Sequence, residues 1–301
     1  MKILVAGTVA IDDIKTPSSS RKGLMGGSAA YASMASSFFA PTRVVGIVGR
    51  DFPDEHVHTL QEREICTDGI ERSEGESFYW SGEYHENMDE RTTHEVAVNV
   101  LEAYSPKLPV DYQSSEIIVL ANMSPKNQLD VLSQCSSPKF VIADTMDIWI
   151  QMEGDSLGEL LTKIDMLVIN ESEAKMFTET GNLVQAGRRL LQTGPQYAII
   201  KTGEHGALLF GPEEEFFRVG AYPLAAVEDP TGAGDSFLGG LAGYLAESNQ
   251  QVNFSALKQA LSPATIMASF TCEAFSVERL AEIDRADIDE RLKAYRRYTQ
   301  L

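Results

Sequence analysis

The sequence predicts an α/β fold: a doubly wound, mostly parallel sheet with helices on both faces, and a small β lid attached to it. Three observations lead there. Short, nearly continuous apolar runs rich in β-branched residues recur along the chain, helix-like stretches separate them, and one region switches to a period of two. Strands that are apolar throughout are buried on both faces, which is the mark of a parallel sheet covered by crossover helices. At 301 residues such a fold runs as one domain over 1–301, although a prior of about 150 residues per domain would allow two.

Taken in order, the strands are "KILVAG" (2–7), "RVVGIVG" (43–49), "EIIVLAN" (116–122), "KFVIAD" (139–144), "DMLVIN" (165–170) and "YAIIKTG" (197–203). Between them lie the helical stretches "GGSAAYASMASSFFA" (26–40), "PKNQLDVLSQC" (125–135), "SLGELLTKI" (156–164) and "NLVQAGRRLLQTG" (182–194). Ligands of such a fold sit beyond the carboxyl ends of the strands. In 77–101, "SFYWSGEYHENMDERTTHEVAVNVL", Phe78, Trp80, Gly82 and Tyr84 alternate with smaller or polar residues, as do Val96, Val98 and Val100. Period two predicts a pair of strands with one apolar face, joined through the polar "HENMDER". This appendage is expected to serve as a lid, as a contact for a second subunit in a homodimer, or both. "TPSSSRKG" (16–23) is expected to be a mobile loop.

Hydrophobic residues make up 43% of the chain and charged residues 23%, enough for a sizeable core. The formal net charge of −19 disfavours nucleic acid and anionic membranes as partners but leaves a free nucleotide open, because backbone N–H groups bind phosphate inside an acidic protein. Cys66, Cys135 and Cys272 are too few and too far apart for a disulfide framework or a metal cluster. "HVH" (56–58) puts two imidazoles on different faces of a helix, which is poor metal geometry. The amino-terminal apolar run is too short for a signal peptide, and no run of about 18 apolar residues occurs, so the expected location is cytoplasmic.

Chemistry concentrates in "EDPTGAGDSFLGGLAGYL" (228–245). If a helix starts near Ala233, Phe237, Leu238, Leu241, Tyr244 and Leu245 share one face, and Gly232, Ala233 and Gly234 form the turn into it. Free amides at a helix start bind anions, aided by the helix dipole, and side chains there would block the approach. Asp235 repels phosphate but can take a proton from an attacking hydroxyl, which suggests phosphoryl transfer. The plainer reading is that Asp235 only favours the helix start and the glycines only turn the chain. A dinucleotide fingerprint fails, since Phe237 stands where its third glycine belongs, and no G-x-x-x-x-G-K-[ST] is present.

These residues resemble a known family. "DPTGAGDSFLGGLA" (229–242) is similar over its whole length to the carboxyl-terminal signature of the pfkB, or ribokinase-like, carbohydrate and nucleoside kinases. The resemblance implies transfer of the ATP γ-phosphate to a hydroxyl of a sugar or nucleoside, with Asp235 as base and the amides of Gly232, Ala233 and Gly234 as anion hole. "NESE" (170–173), which alone would read as an acid-rich helix start, resembles the family's N-x-x-E, with Asn170 and Glu173 near Mg²⁺. "IIKTGEHGALLF" (199–210) resembles the turn lining the ATP site. It implies nucleotide contacts from Lys201, Thr202, Gly203 and Gly206, joined by Thr231 of the signature and by Ala264 and Met267 beside the adenine.

At the amino end, "GTVAID" implies that Asp12 holds the acceptor hydroxyls, and "GGSAAY" that Gly26, Gly27 and Ser28 form the acceptor turn. Three positions depart from the pattern. Ala10 and Tyr31 stand where ribokinase-type members carry asparagines that touch the sugar, and Pro263 replaces an asparagine near the adenine segment. Asp144 and Asp147 in "DTMDIW" (144–149) fall near the expected phosphates, where Asp144 either joins the site or caps its strand. A catalytically silent nucleotide-binding regulator on the same fold is the competing reading, and a dehydrogenase a distant third.

Overall fold

The computed structural model describes residues 1–299. The first half contains β1 (Ile3–Ala6), β2 (Ala10–Lys15), β3 (Ser20–Gly26), α1 (Ser28–Ser37), β4 (Thr42–Val48), α2 (Asp54–Glu62), β5 (Cys66–Arg72), β6 (Phe78–Tyr84) and β7 (Arg91–Ala97). After β8 (Ile117–Leu120) come α3 (Pro125–Ser133), β9 (Phe140–Asp144), α4 (Asp147–Met152), α5 (Gly154–Leu161), β10 (Met166–Asn170), α6 (Glu171–Thr178) and α7 (Leu183–Leu191). The chain then adds β11 (Tyr197–Lys201), β12 (Ala207–Phe210), β13 (Phe216–Val219), α8 (Ala233–Ser248), α9 (Phe254–Thr271), α10 (Glu278–Glu282) and α11 (Arg285–Thr299).

The large sheet has nine strands in the order β13-β12-β11-β10-β9-β8-β1-β4-β5. All are parallel from β11 to β5, and β12 and β13 run antiparallel at one edge. Alternate strand residues feed two cores. Ile3, Val5, Ile117, Val119, Met166 and Val168 pack beneath α1, α8 and α9. Leu4, Ala6, Ile118, Leu120, Leu167 and Ile169 pack against α3, α5, α6 and α7. That two-sided burial is why the strands read as continuous apolar runs. β5, "CTDGIER", is mostly polar because it lies at the sheet edge, and no apolar pattern marked it.

The second sheet is larger than the pattern at 77–101 indicated. Its order is β3-β2-β6-β7, with β6 and β7 as the expected antiparallel pair and β2 laid parallel against β6. Residues 16–23, expected to be a loop, hold the turn into β3 and that strand's exposed first half. Ser20, Arg21 and Lys22 conceal the strand because no buried face demands apolar residues there. Ile14, Leu24, Tyr84 and Phe275 form the small core beneath this sheet, with Trp80 and Met88 packed against it.

α8 lies buried between α1 and α9. Beyond the one apolar face expected from sequence, Ser236, Gly239, Gly240, Ala242 and Gly243 on its other sides are buried too. Those glycines set the packing distance. A Cβ at Gly239 would collide with the Ala32 carbonyl of α1, and one at Gly240 would sit 2.8 Å from Met267 Cγ of α9. Among the described residues no helix is long and apolar enough to cross a membrane.

Candidate active site

Every chemically active group expected from sequence lies at or beyond the carboxyl ends of the parallel strands. The chain leaves β1 at the point where the strand order reverses, between β1 and β8. Ser28 ties the two ends together there: its Oγ donates to the Asn122 carbonyl at 3.2 Å, and its N–H donates to Thr8 Oγ1 at 3.0 Å. Ser28 is thereby spent on holding the turn. Gly27 has φ +92°, and a Cβ on it would collide with the Thr8 carbonyl. Gly26 is needed for a different reason, since the Asp12 carboxylate lies where its Cβ would be. Asp12 is thus folded over the diglycine turn, 4% exposed.

The anion turn opens α8. Gly232 is left-handed at φ +76°, and its carbonyl accepts from Ser236 N–H at 2.8 Å. Asp229 is fully buried, and its Oδ1 accepts from Thr231 N–H at 2.9 Å, which bends the chain into the turn. The three expected amide donors are not equivalent. Ala233 N–H donates to the Pro230 carbonyl at 3.1 Å, whereas the amides of Gly232, Gly234 and Asp235 have no acceptor among the described residues. The free set is therefore Gly232, Gly234 and Asp235.

Lys201, at the end of β11, reaches this turn. Its Nζ is 3.2 Å from Asp144 Oδ2 and 3.1 Å from the position a Cβ on Gly234 would take. Burial works against the Lys201 ammonium, but Asp144, Glu173 and Asp235 outweigh it and hold its pKa above the ordinary value. Asp144 makes both contacts that its two readings require: one oxygen meets Lys201 and the other accepts from Thr145 N–H at 2.9 Å. At the end of β10, Asn170 and Glu173 form a reciprocal cap on α6. Glu173 N–H donates to Asn170 Oδ1 at 2.8 Å, and Asn170 N–H donates to Glu173 Oε2 at 2.9 Å. The acid-rich helix start and the carboxylate expected on the phosphate side are the same residues.

The remaining nucleotide-side residues divide. Thr202 closes its own turn, its Oγ1 donating to the Gly206 carbonyl at 2.9 Å, and Gly206 at φ +94° lies against the Val219 carbonyl. Gly203, at φ +55°, has Asp89 Oδ1 3.4 Å from the position its Cβ would take. Thr231 gives its hydroxyl hydrogen to Tyr84 Oη of the second sheet at 3.2 Å. Ala264 and Met267 are fully buried in the contact of α9 with Gly240, so they are core residues in this structure and present no surface to an adenine. The family resemblance alone had put them beside the adenine. The tight α8 packing that hides them could not be read from α9 alone.

Tyr31 is the side chain whose importance the sequence showed only as a departure. It is 1% exposed, its ring lies where a Cβ on Gly232 would project, and its hydroxyl has no partner among the described residues. Burial, followed by Asp229 and Asp12, raises its pKa well above the ordinary value, so it stays a neutral donor. Around it the carboxyls are shifted in the same direction. Asp12 is pushed up to about 8, by burial first and then by Asp229, Asp235 and Asp13. Asp235 reaches about 7 through burial and Asp144, with Lys201 and Arg91 pulling it down. Glu173 reaches about 7 through burial and Asp144, and Asp229 about 6 through burial.

A carboxyl whose folded pKa exceeds its unfolded value holds its proton better when folded. Stability is then full below about pH 4 and falls as pH rises toward the folded value. For Asp12 that window runs from about 4 to about 8. Melting curves of the ligand-free protein should show Tm falling from pH 5 to pH 8.5, with a shallower fall in Asp12→Asn. Parallel curves for the two proteins would mean that Asp12 is not desolvated.

The sequence matches the pfkB family carbohydrate kinases over residues 5–282. A cytidine kinase of Thermococcus kodakarensis is 28% identical over 251 residues, covering 81% of this chain and 88% of its own. Among solved structures, the nucleoside kinase of Methanocaldococcus jannaschii superposes with a TM-score of 0.78 at 19% identity, covering 97% of this chain and 98% of its own. A ribokinase of Giardia lamblia superposes with a TM-score of 0.81 at 18% identity, covering 97% and 99%. The chain belongs to the pfkB family of carbohydrate kinases and is a phosphotransferase with an alcohol group as acceptor.

Proposed function

We propose that the protein is an ATP-dependent nucleoside kinase in which Asp235 takes the proton of the attacking hydroxyl. The observation that carries the chemistry is the buried Tyr31 ring lying against Gly232, at the turn whose free amides lead into Asp235, with its hydroxyl unpartnered among the described residues and Asp12 and Asp235 near enough to raise its pKa. An acceptor hydroxyl placed between Tyr31 and Asp12 accepts from the phenol and donates to the carboxylate, satisfying the Tyr31 hydroxyl, which is otherwise buried without a partner among the described residues. The reacting hydroxyl gives its proton to Asp235 as its oxygen bonds to the γ-phosphorus. The bond from that phosphorus to ADP breaks, and its electron pair leaves with ADP. The free amides at the start of α8, with the helix dipole behind them, stabilise the charge on the phosphoryl oxygens.

Glu173, with Asn170, has the donor chemistry for Mg²⁺, which favours one or two carboxylates, phosphate oxygens and water. Beside Asp144, Glu173 forms an acidic pair that Lys201 alone neutralises, so a second cation fits there. When bound, Mg²⁺ supplies neutralisation of the phosphate charge.

The nucleoside class is supported by the cytidine kinase relative. Base stacking by the lid does not support it, because Trp80 and Tyr84 are spent on the small core beneath the second sheet. An assay of ADP release with cytidine, uridine, adenosine, inosine, ribose and deoxyribose should give the highest kcat/KM with a nucleoside. Turnover of free sugars alone would make the protein a sugar kinase, and ATP binding without any turnover would favour the silent regulator.

A further inference from the structure

β8 and β9 carry the two halves of the site, and one side chain fixes how their ends sit. β8 leads into Asn122, whose carbonyl accepts from Thr8 N–H at 3.2 Å and from Ser28 Oγ at 3.2 Å, so the diglycine turn hangs on this strand. β9 ends in Asp144, whose carboxylate holds Lys201 beside the turn that opens α8. The register between the two strands stops at Leu120 opposite Ala143, one residue short of Asp144.

Gln128, in the first turn of α3, takes over where that ladder stops. It is fully buried, and its Nε2 donates to the carbonyls of Leu120 at 3.0 Å, Ala121 at 3.0 Å and Asp144 at 2.9 Å. Two of those carbonyls lie at the end of β8 and the third at the end of β9. Its own Oε1 has no partner among the described residues. A buried acceptor without a partner is a local cost. What the side chain secures in return is the relative position of the two strand ends.

We propose that Gln128 is a positioning residue for phosphoryl transfer: by holding the ends of β8 and β9 together, it fixes the distance between the diglycine turn on Asn122 and the Asp144–Lys201 pair at the start of α8. The inference rests on the reading of the α8 turn as the phosphate site. Gln128 takes no part in the chemistry and acts through the Asp144 backbone. Transfer needs the attacking oxygen and the phosphorus in near contact, and a displacement of about 1 Å set up far from the chemistry can cost about 10²-fold. Such a displacement arises most easily at the strand ends, where the ladder no longer holds the two chains.

Two substitutions test this. Gln128→Met keeps the shape and loses the donor, and Gln128→Asn keeps the donor but shortens its reach. Each is measured alone and in an Asp144→Ala background, in the ADP-release assay with ATP and the acceptor of highest turnover, or with water if none of the panel is used. Gln128→Met is expected to lose about 10–10²-fold in kcat while KM changes less than about threefold, and Gln128→Asn to lose less. In Asp144→Ala, where the link to Lys201 is already cut, the same substitutions should cost less than about threefold. If Gln128→Met does not fold, Gln128→Asn carries the comparison. A loss that persists undiminished in Asp144→Ala, in step with a fall in Tm, would make Gln128 a purely structural residue and overturn the proposal. Unchanged kcat in both single variants would overturn it as well. Wild type that consumes no ATP with any acceptor or with water would sink the reading of the α8 turn and this proposal with it.

Discussion

Asp235→Asn is expected to lower kcat by about 10²–10⁴, the usual worth of a general base, while ATP affinity stays within a few fold. The asparagine keeps the shape of the first turn of α8 and cannot take a proton. Its neutrality also removes one negative charge beside Lys201, so ATP binding should tighten slightly if it changes at all. The pH profile supplies an independent check. With the free-enzyme pKa of Asp235 near 7, kcat/KM of wild type should fall on the acid side of about pH 7, approaching tenfold per unit. Because Lys201 pulls that pKa down, Lys201→Met should move the limb to higher pH. A limb that stays near pH 4, or that remains in place in Lys201→Met, would assign the proton to another group, and an Asp235→Asn enzyme with most of its kcat would remove Asp235 from the chemistry.

The large sheet was legible because a strand buried on both faces must be apolar at every position, as in "ILVA" and "IIVL". The anion turn was legible for the opposite reason: "GAG" has no side chains where a chain normally has them, and a carboxylate follows at once. Elements that satisfy no such demand were hidden. β3 begins with Ser20, Arg21 and Lys22 because those positions are exposed and demand no apolar side chain.

Residue roles were harder to read than residue positions. Ala233, Ser28 and Thr202 lie where expected, yet each gives its donor to a neighbouring backbone carbonyl. A motif fixes which residues stand at a turn. Which of their donors remain free depends on carbonyls contributed elsewhere in the turn or fold, here by Pro230, Asn122 and Gly206.

Gly232→Ala should damage catalysis severely while sparing the fold. Alanine at φ +76° carries a backbone cost of about 1–2 kcal/mol, and its Cβ would project into the ring of Tyr31. That ring is buried in the acceptor half and cannot swing aside, so the turn itself has to move. The free amides of Gly232, Gly234 and Asp235 move with it, and displacement of such donors costs about 10²–10³ in kcat. Acceptor KM should rise as well, because Tyr31 is pushed toward Asp12. The fold should survive, since α8 is held along its length by α1 and α9. Gly234→Ala is the control. Its Cβ would meet only the flexible tip of Lys201, at 3.1 Å, and its φ is not positive, so the methyl is accommodated with a loss of at most about tenfold. Equal losses in the two variants, or a Gly232→Ala enzyme with near-normal kcat, would show that the phosphoryl oxygens are not stabilised at this turn.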